Sequence, residues 1–257
     1  MHSIITPAIM YWGTPVVLIT TKNEDGTANI GPMSSAWWLG HRCVLGLASM
    51  SQTTINLLRT SQCVLNLPSD DMVHYINPIA KTTGSPDVPP VKQMLGYDYC
   101  NDKFRLSGLT QQASDFVQPP RIAECPVQME VELMNKMELM QDLPDRKGIL
   151  LAIEVKVLRT HVRNDLRLAG HANRIDPDCW RPMIMSFQEF YGLASKKVTE
   201  SNLATIDEEK YRIITRSDVV KQGGDMDRWN SRETTTINGE EQCFDTSENG
   251  IVLAHRE

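Results

Sequence analysis

The chain has 257 residues, of which 41% are hydrophobic and 23% charged, and its 26 Lys and Arg against 32 Asp and Glu give a formal net charge of −6. A chain of this size buries one sizeable core, and this composition excludes wholesale disorder. The acidic balance, with no basic face, excludes a general nucleic-acid binder and leaves a small-molecule ligand as the expected partner.

The first segment, "MHSIITPAIMYWGTPVVLITTK", carries no Lys or Arg before Lys22 and is interrupted by Pro7, Gly13 and Pro15. It reads as neither a signal peptide nor a membrane span, so a cytoplasmic protein with no membrane partner is expected. Residues 15–22 are rich in β-branched side chains and run into Asp25-Gly26, a hairpin turn signal, with "TANIGPM" as the return strand. Residues 42–49 and 63–68 read as further strands. Between them lies a short helix over 53–62, with Ile55, Leu57 and Leu58 as its apolar side.

The middle, "NPIAKTTGSPDVPPVKQMLGY", contains four prolines and reads as a long loop with a short helix from Val91. A loop of that length inside a domain is usually functional or contacts a partner. Further on, Val127, Met129, Val131 and Leu133 alternate with Gln128, Glu130 and Glu132, and Ile149, Leu151, Ile153, Val155 and Val157 repeat the period. Short turns between strands predict a mainly β, antiparallel barrel with peripheral helices. The expected organisation is one domain over 1–222, followed by a polar, Gly-punctuated tail over 223–257.

The six cysteines lie far apart with no C-x-x-C pair, and the six histidines form no close pair. Reduced buried thiols and no metal site are therefore expected. Two stretches stand out. Ser49, Ser51, Thr53 and Thr54 fall where a strand ends and a helix begins. Unpaired N–H groups and the positive end of the helix dipole favour an anion there, although plain N-capping accounts for the same residues. In "GPMSSAWW", the small Ser34, Ser35 and Ala36 would let a flat ligand approach the backbone. Trp37 and Trp38 must point to opposite sides, one into the core and the other toward a pocket or a partner subunit.

Together with "KTTGSPDVPPVKQMLGYDY", "DKFRLSGLT", "PPRIAECPVQMEVEL" and "IDPDCWRPMIMSFQEFYGL", these stretches resemble the flavin reductase-like family, in its flavoredoxin-type branch, over roughly residues 10 to 210. The resemblance implies a six-stranded, Greek-key split β-barrel that forms a homodimer and binds FMN at the subunit boundary. It implies that Asn29, Met33, Ser34, Ser35 and Ala36 line the isoalloxazine ring, and that Ser49, Ser51, Thr53 and Thr54 hold the phosphate. Residues 82–92 and 180–191 would lie near the pocket or the dimer interface.

The implied activity is NAD(P)H:flavin reduction for a downstream acceptor or oxygenase, with hydride transfer needing no acid-base residue and none assigned. With no separate nicotinamide-binding fingerprint, the nucleotide would stack over the flavin in an open cleft, and His171 is the one histidine to place near it. Arg59 alone offers a cation near the hydroxyl run, so flavin held only by hydroxyls and N–H groups would exchange as a substrate. Two other readings stay open: a scaffold reused for a non-redox transformation, such as cyclisation, of an apolar metabolite, and a flavin carrier without turnover.

Overall fold

Strand β1 (Trp12–Pro15) and strand β2 (Val17–Lys22) form the expected first strand, interrupted at Val16, whose N–H goes to the Met183 carbonyl at 2.9 Å. A tight turn leads to β3 (Ala28–Met33). Asn23 N–H reaches the Thr27 carbonyl at 2.9 Å, the Asp25 carboxylate accepts from Thr27 N–H at 2.9 Å, and Gly26 takes φ +83°, a conformation cheap only for glycine. The chain continues through β4 (Ala36–Leu39), β5 (Arg42–Ala48), helix α1 (Gln52–Thr60) and β6 (Gln62–Leu67). Next come α2 (Val73–Ala80), β7 (Thr82–Thr83), α3 (Pro90–Met94), β8 (Asp98–Tyr99), α4 (Lys103–Ser107), β9 (Gln111–Gln112) and β10 (Arg121–Ile122). The long hairpin of β11 (Val127–Glu138) and β12 (Leu150–Val162) and the short β13 (Ile184–Ser186) and β14 (Glu189–Tyr191) follow.

This computed structural model describes residues 2–215 and two further strands, Thr235–Ile237 and Glu240–Gln242, which pair antiparallel. The chain divides into two units, Met1–Asp218 and Val219–Glu257. Apart from that hairpin, the segment expected as a polar tail over 223–257 lies outside the described residues. No helix among the described residues is long and apolar enough to cross a membrane.

The main sheet has seven antiparallel strands in the order β3-β2-β6-β11-β12-β5-β4. One more strand than the family resemblance implies arises because residues 28–39 break at Ser34 and Ser35 into β3 and β4. These two are the edge strands. Laid flat, the edges of such a sheet would stand about 29 Å apart, whereas the three Cα steps from Met33 to Ala36 span at most about 11 Å. The sheet must therefore curl until these two strand ends come together, and the gap in the barrel falls at the two serines.

Inside the barrel pack Val17, Ile19, Leu45, Leu47, Leu65, Val131, Ile153 and Val155, with Leu57 of α1 closing one end. The other face of β2 and β3 supplies Val16, Leu18 and Ile30 to a second core with Ile76 and Ile79 of α2 and Phe104 of α4. Because β2 is buried on both faces, its apolar Val17, Leu18 and Ile19 follow one another without alternation.

Three expectations are corrected. Residues 77–80, read as loop, are the last half of α2, which contains Pro78. An interior proline costs about 3 kcal/mol, and full burial of Ile76 and Ile79, each contributing roughly 1.5–3 kcal/mol, offsets it. In α1 only Leu57 of the expected apolar side is fully buried and Ile55 is exposed, because the helix turns Thr53, Thr54 and Asn56 toward the sheet.

The polar face of β11 is also buried. Glu130 is fully enclosed, accepting from the N–H groups of Asp115 at 3.0 Å, Phe116 at 2.6 Å and Val117 at 3.2 Å, and bonding His161 Nε2 at 2.7 Å. Burial pushes the Glu130 carboxyl up, but the amides of Asp115 and Phe116 and the His161 ring outweigh it and hold it below the usual carboxylate range. Asp115 in turn binds Arg159, whose guanidinium lies 4.2 Å from the Phe116 ring centre. Asp115, Glu130 and His161 stand close enough to hold a metal, but both Glu130 oxygens and Asp115 Oδ2 are already engaged by these donors. The group is a clamp on the 113–119 loop.

Two outcomes follow from this packing. A Cβ on Gly31 would lie 2.3 Å from Thr53 Oγ1, so Gly31→Ala should push α1 off β3 and lower the urea midpoint by the equivalent of about 1–3 kcal/mol. Glu130→Gln should cost roughly 3 kcal/mol at pH 7 by leaving buried amides short of an acceptor. Since the folded carboxyl titrates below its unfolded value, this stabilisation is present above the unfolded pKa and disappears as pH falls through the folded one. Wild type and variant should therefore converge in acid denaturation curves.

Candidate functional site

Chain reversal after β5 builds the first wall of the site. Ser51 caps α1, accepting from Thr54 N–H at 3.2 Å, and Thr54 donates its hydroxyl to the Ala48 carbonyl at 2.8 Å. Ser51 Oγ and Thr54 Oγ1 are 2.7 Å apart. With the Thr54 proton spent on Ala48, the Ser51 hydroxyl is the donor between them. Both side chains are thus occupied in holding the helix start. Ser49 donates its N–H to Ile149 at 2.9 Å, and its hydroxyl has no partner among the described residues.

Thr53 faces the other way. Its Oγ1 accepts from Asn29 Nδ2 at 3.1 Å, and its own proton has no acceptor among the described residues. Asn29 is 3% exposed and also reaches Thr21 Oγ1 at 3.5 Å, while its Oδ1 is buried without a partner. Asn56 extends the network to Thr21 at 3.1 Å and to Asn23 at 2.7 Å, and Gln52 bonds Asn56 at 2.9 Å. Buried amides of this kind are held only where neighbours satisfy them, which makes the unmatched Asn29 oxygen the exception in its own network.

The long middle arm closes over this point. A Cβ on Gly84 would lie 2.4 Å from Asn29 Oδ1 and 3.2 Å from Gln52 Cγ, so only glycine lets the segment after β7 lie on them. Lys103 anchors that segment. Its side chain is buried, and Nζ donates to the Ile30 carbonyl at 2.8 Å on the open edge of β3 and to the Thr82 carbonyl at 3.4 Å. Burial and the nearby Lys92 lower its pKa to about 8, with the Cys100 thiol acting in the opposite sense. No carboxylate among the described residues lies within ion-pair distance of it.

Along the same edge, Met33 packs half-buried against the barrel core and Ala36 lies within it. The Ser35 carbonyl accepts from Gly46 N–H at 2.7 Å, but the N–H groups of Ser34 and Ser35 find no acceptor among the described residues. Two adjacent free donors on a small-residue strand end suit the carbonyl and ring-nitrogen edge of a flat heterocycle.

Trp37 is exposed and Trp38 packs on the core. Trp38 also lines a cleft of about 250 Å³ with Pro15, Leu67, Trp180 and Pro182. His171 sits exposed in a turn and Arg59 is committed to the Lys22 carbonyl, so neither supplies a group to the Asn29 cluster. Cys43, Cys63 and Cys125 are buried, and burial drives their thiols up, Cys43 to about 12, leaving them unreactive.

The structure therefore brings together Asn29 and Thr53 from the expected set, and adds Gly31, Gly84 and Lys103. Nothing in local spacing marks Lys103, which stands next to Phe104 at the start of a five-residue helix. Its burial depends on contacts with residues 73 and 21 positions away. Gly84, in "KTTGSP", carries a turn signal but no sign of what it touches.

Comparison with known proteins gives the family. The model of the flavin reductase-like domain matches residues 10–191. The uncharacterized protein YdfE of Bacillus subtilis is 39% identical over 189 residues, covering 74% of this chain and 88% of YdfE. Among solved structures, flavoredoxin of Desulfovibrio vulgaris superposes with a TM-score of 0.63 at 17% identity, over 80% of this chain and all of that one. Nitrilotriacetate monooxygenase component B from Bacillus cereus gives 0.58 at 18%, over 75% and 89% of the two chains. The structural likenesses speak for the fold, a split barrel with peripheral helices, and the family match and the YdfE identity speak for descent. The chain belongs to the flavin reductase-like family.

Proposed function

We propose that the protein is an FMN-dependent oxidoreductase that takes hydride from NAD(P)H and delivers reducing equivalents to a downstream acceptor or oxygenase. The observation that carries this reading is the Asn29–Thr53 pair, with Gly84 lying on Asn29, on the strand whose end leaves the Ser34 and Ser35 N–H groups free and whose Ile30 carbonyl Lys103 reaches. The unmatched Asn29 oxygen, the free Thr53 proton and an ammonium without a carboxylate fit a ligand that combines a polar ring edge with an anion. Bound FMN supplies two-electron exchange with a nicotinamide.

The chain's own residues bind and orient. Asn29, Ser34 and Ser35 address the ring edge. Thr53, Ser49 and the α1 N–H groups address the phosphate, and Lys103 supplies the charge that the hydroxyls lack. In this reading Ser51 and Thr54 act indirectly, by keeping the helix start in place. The similarity to component B of a monooxygenase supports an oxygenase as the acceptor.

A homodimer completes the reading. Trp37 and Leu39 alternate outward on edge strand β4, 56% and 70% exposed, while Trp38 between them faces the core. Exposed apolar side chains on a sheet edge favour coverage by a second subunit. Buried reduced thiols suit a cytoplasmic setting.

The test is an anaerobic absorbance titration with FMN and then NADPH or NADH. Flavin bands that shift on binding and bleach with nicotinamide support the reading, and neither binding nor nicotinamide oxidation would sink it. Thr53→Ala should weaken FMN binding about tenfold, whereas Ser51→Ala should lower stability by about 1 kcal/mol with little change in affinity. Sedimentation should give a dimer for the wild type and a monomer for the Trp37→Glu, Leu39→Glu double variant. A monomeric wild type at micromolar concentration would rule out the dimer.

A further inference from the structure

The segment between β7 and β8 is tied at its ends and self-contained in between. Thr82 and Thr83 pair in parallel with Asp98 and Tyr99, and the Asp98 and Cys100 N–H groups reach the Lys81 and Thr83 carbonyls at 3.1 and 2.9 Å. Lys103 fastens this junction to β3 through the Ile30 and Thr82 carbonyls. Beyond it, every hydrogen bond made by residues 84–97 ends within the segment or on the adjoining Thr83. Ser85 N–H goes to Thr83 Oγ1 at 3.3 Å, Gln93 Nε2 to the Val88 carbonyl at 2.8 Å, and Tyr97 N–H to the Lys92 carbonyl at 3.0 Å. Lys92 lies over the Tyr97 ring, 5.6 Å from its centre. Val91, Met94 and Leu95 are exposed, and no residue of 84–97 is buried or belongs to either core. A loop with joined ends and its own internal contacts can move as one body while few bonds to the rest of the molecule break.

This loosely held segment covers a buried acceptor that lacks a donor among the described residues. Asn29 is 3% exposed, its Oδ1 is unmatched, and Gly84 rests against it so closely that a Cβ there would lie 2.4 Å from that oxygen. Enclosing an oxygen without a donor disfavours the arrangement that encloses it. Glycines stand at both ends of the segment, Gly84 next to Thr83 and Gly96, at φ +74°, two residues before Asp98. Those are the places where a body tied at β7 and β8 has to turn.

We propose that residues 84–97 are a lid, closed where Gly84 lies on Asn29 and opened by turning at the two glycines, and that a ligand reaches Asn29 Oδ1 only through the open form. The inference rests on the flavin reading for the identity of that ligand, whose ring edge takes the place of Gly84 on the oxygen. Differential affinity drives the change: the closed form offers the ring no access to Oδ1, so binding draws the population toward the open one. Residue 84 then sets the balance, because any side chain there obstructs closure and leaves the open form intact.

The test is alkylation of the full chain carrying Asn29→Cys with iodoacetamide, followed by the mass of the peptide around residue 29, so that labelling of other cysteines is not counted. The new thiol should react about 10- to 1,000-fold more slowly than in a free peptide, as for a minor open form of 0.1–10%. The rate should be insensitive to urea well below the unfolding midpoint, since opening as a body exposes little surface. Adding Gly84→Ala should raise it about tenfold, because the Asn29 Cγ position that the sulfur takes is 3.1 Å, and Gln52 Cγ 3.2 Å, from the added Cβ.

Labelling only on global unfolding, labelling at the free-peptide rate, or a rate unmoved by Gly84→Ala would overturn the proposal. If Asn29→Cys does not fold, rapid mixing of the wild type with FMN decides. The observed rate should level off as FMN is raised, at a limit that Gly84→Ala increases, and a rate that climbs linearly throughout counts against the lid. If the wild type binds no FMN, the flavin reading fails separately, and the labelling of residue 29 still decides whether the lid opens.

Discussion

Two residues join the edges of a seven-stranded sheet, and the rest of the molecule follows from that short connection. Because β3 and β4 border opposite sides of the sheet yet are separated only by Ser34 and Ser35, the sheet has to close, and it closes at a point where the ladder is interrupted. The edge strands β3 and β4 do not pair with each other, so unpaired backbone groups concentrate along them and at the interruption. The gap is also where small side chains stand, and the polar network of Thr21, Asn29, Thr53 and Asn56 begins a few residues back along β3. Curling of the sheet and exposure of free donors at the two serines are thus the same event.

Strand β2 divides the molecule into two cores, and this division explains where helices can sit. Residues facing into the barrel meet other strands and one turn of α1, while residues facing outward must be covered, and α2 and α4 cover them. The arm between those helices is consequently pinned at both ends, by α2 packing before it and by Lys103 after it. A proline-rich segment with little structure of its own is brought to one position above Asn29 without needing a core of its own.

Much of the barrel was legible from periodicity, because each strand carries its own signal: alternation in β12, an Asp-Gly turn before β3, hydroxyls ahead of α1. The same logic fails wherever a residue's environment is made by distant chain. Glu130 looks like the outward member of an alternating pair, yet the 113–119 loop folds over it and supplies three amides. Half of α2 was hidden by Pro78, whose penalty is visible in sequence while the burial that offsets it is not. At the candidate site, Asn29 and Thr53 came from the family resemblance and the helix-start signal. Gly84 and Lys103 matter because of what they touch, and no spacing rule encodes a contact between an arm and an edge strand. The hydroxyl run illustrates a further limit, since four closely spaced residues of similar chemistry divide into two that serve the helix start and two, Ser49 and Thr53, whose hydroxyl protons have no acceptor among the described residues.

That division has a kinetic consequence. A helix start that Ser51 and Thr54 cap on their own is already ordered before any ligand arrives. Arrival then requires diffusion and orientation and little rearrangement of α1, and differences between ligands are expressed in how long each one stays. With two hydroxyls withheld from the ligand, few contacts must break on departure. Under the proposed function, such a preformed cradle with few contacts to the ligand would suit a protein that passes its flavin onward.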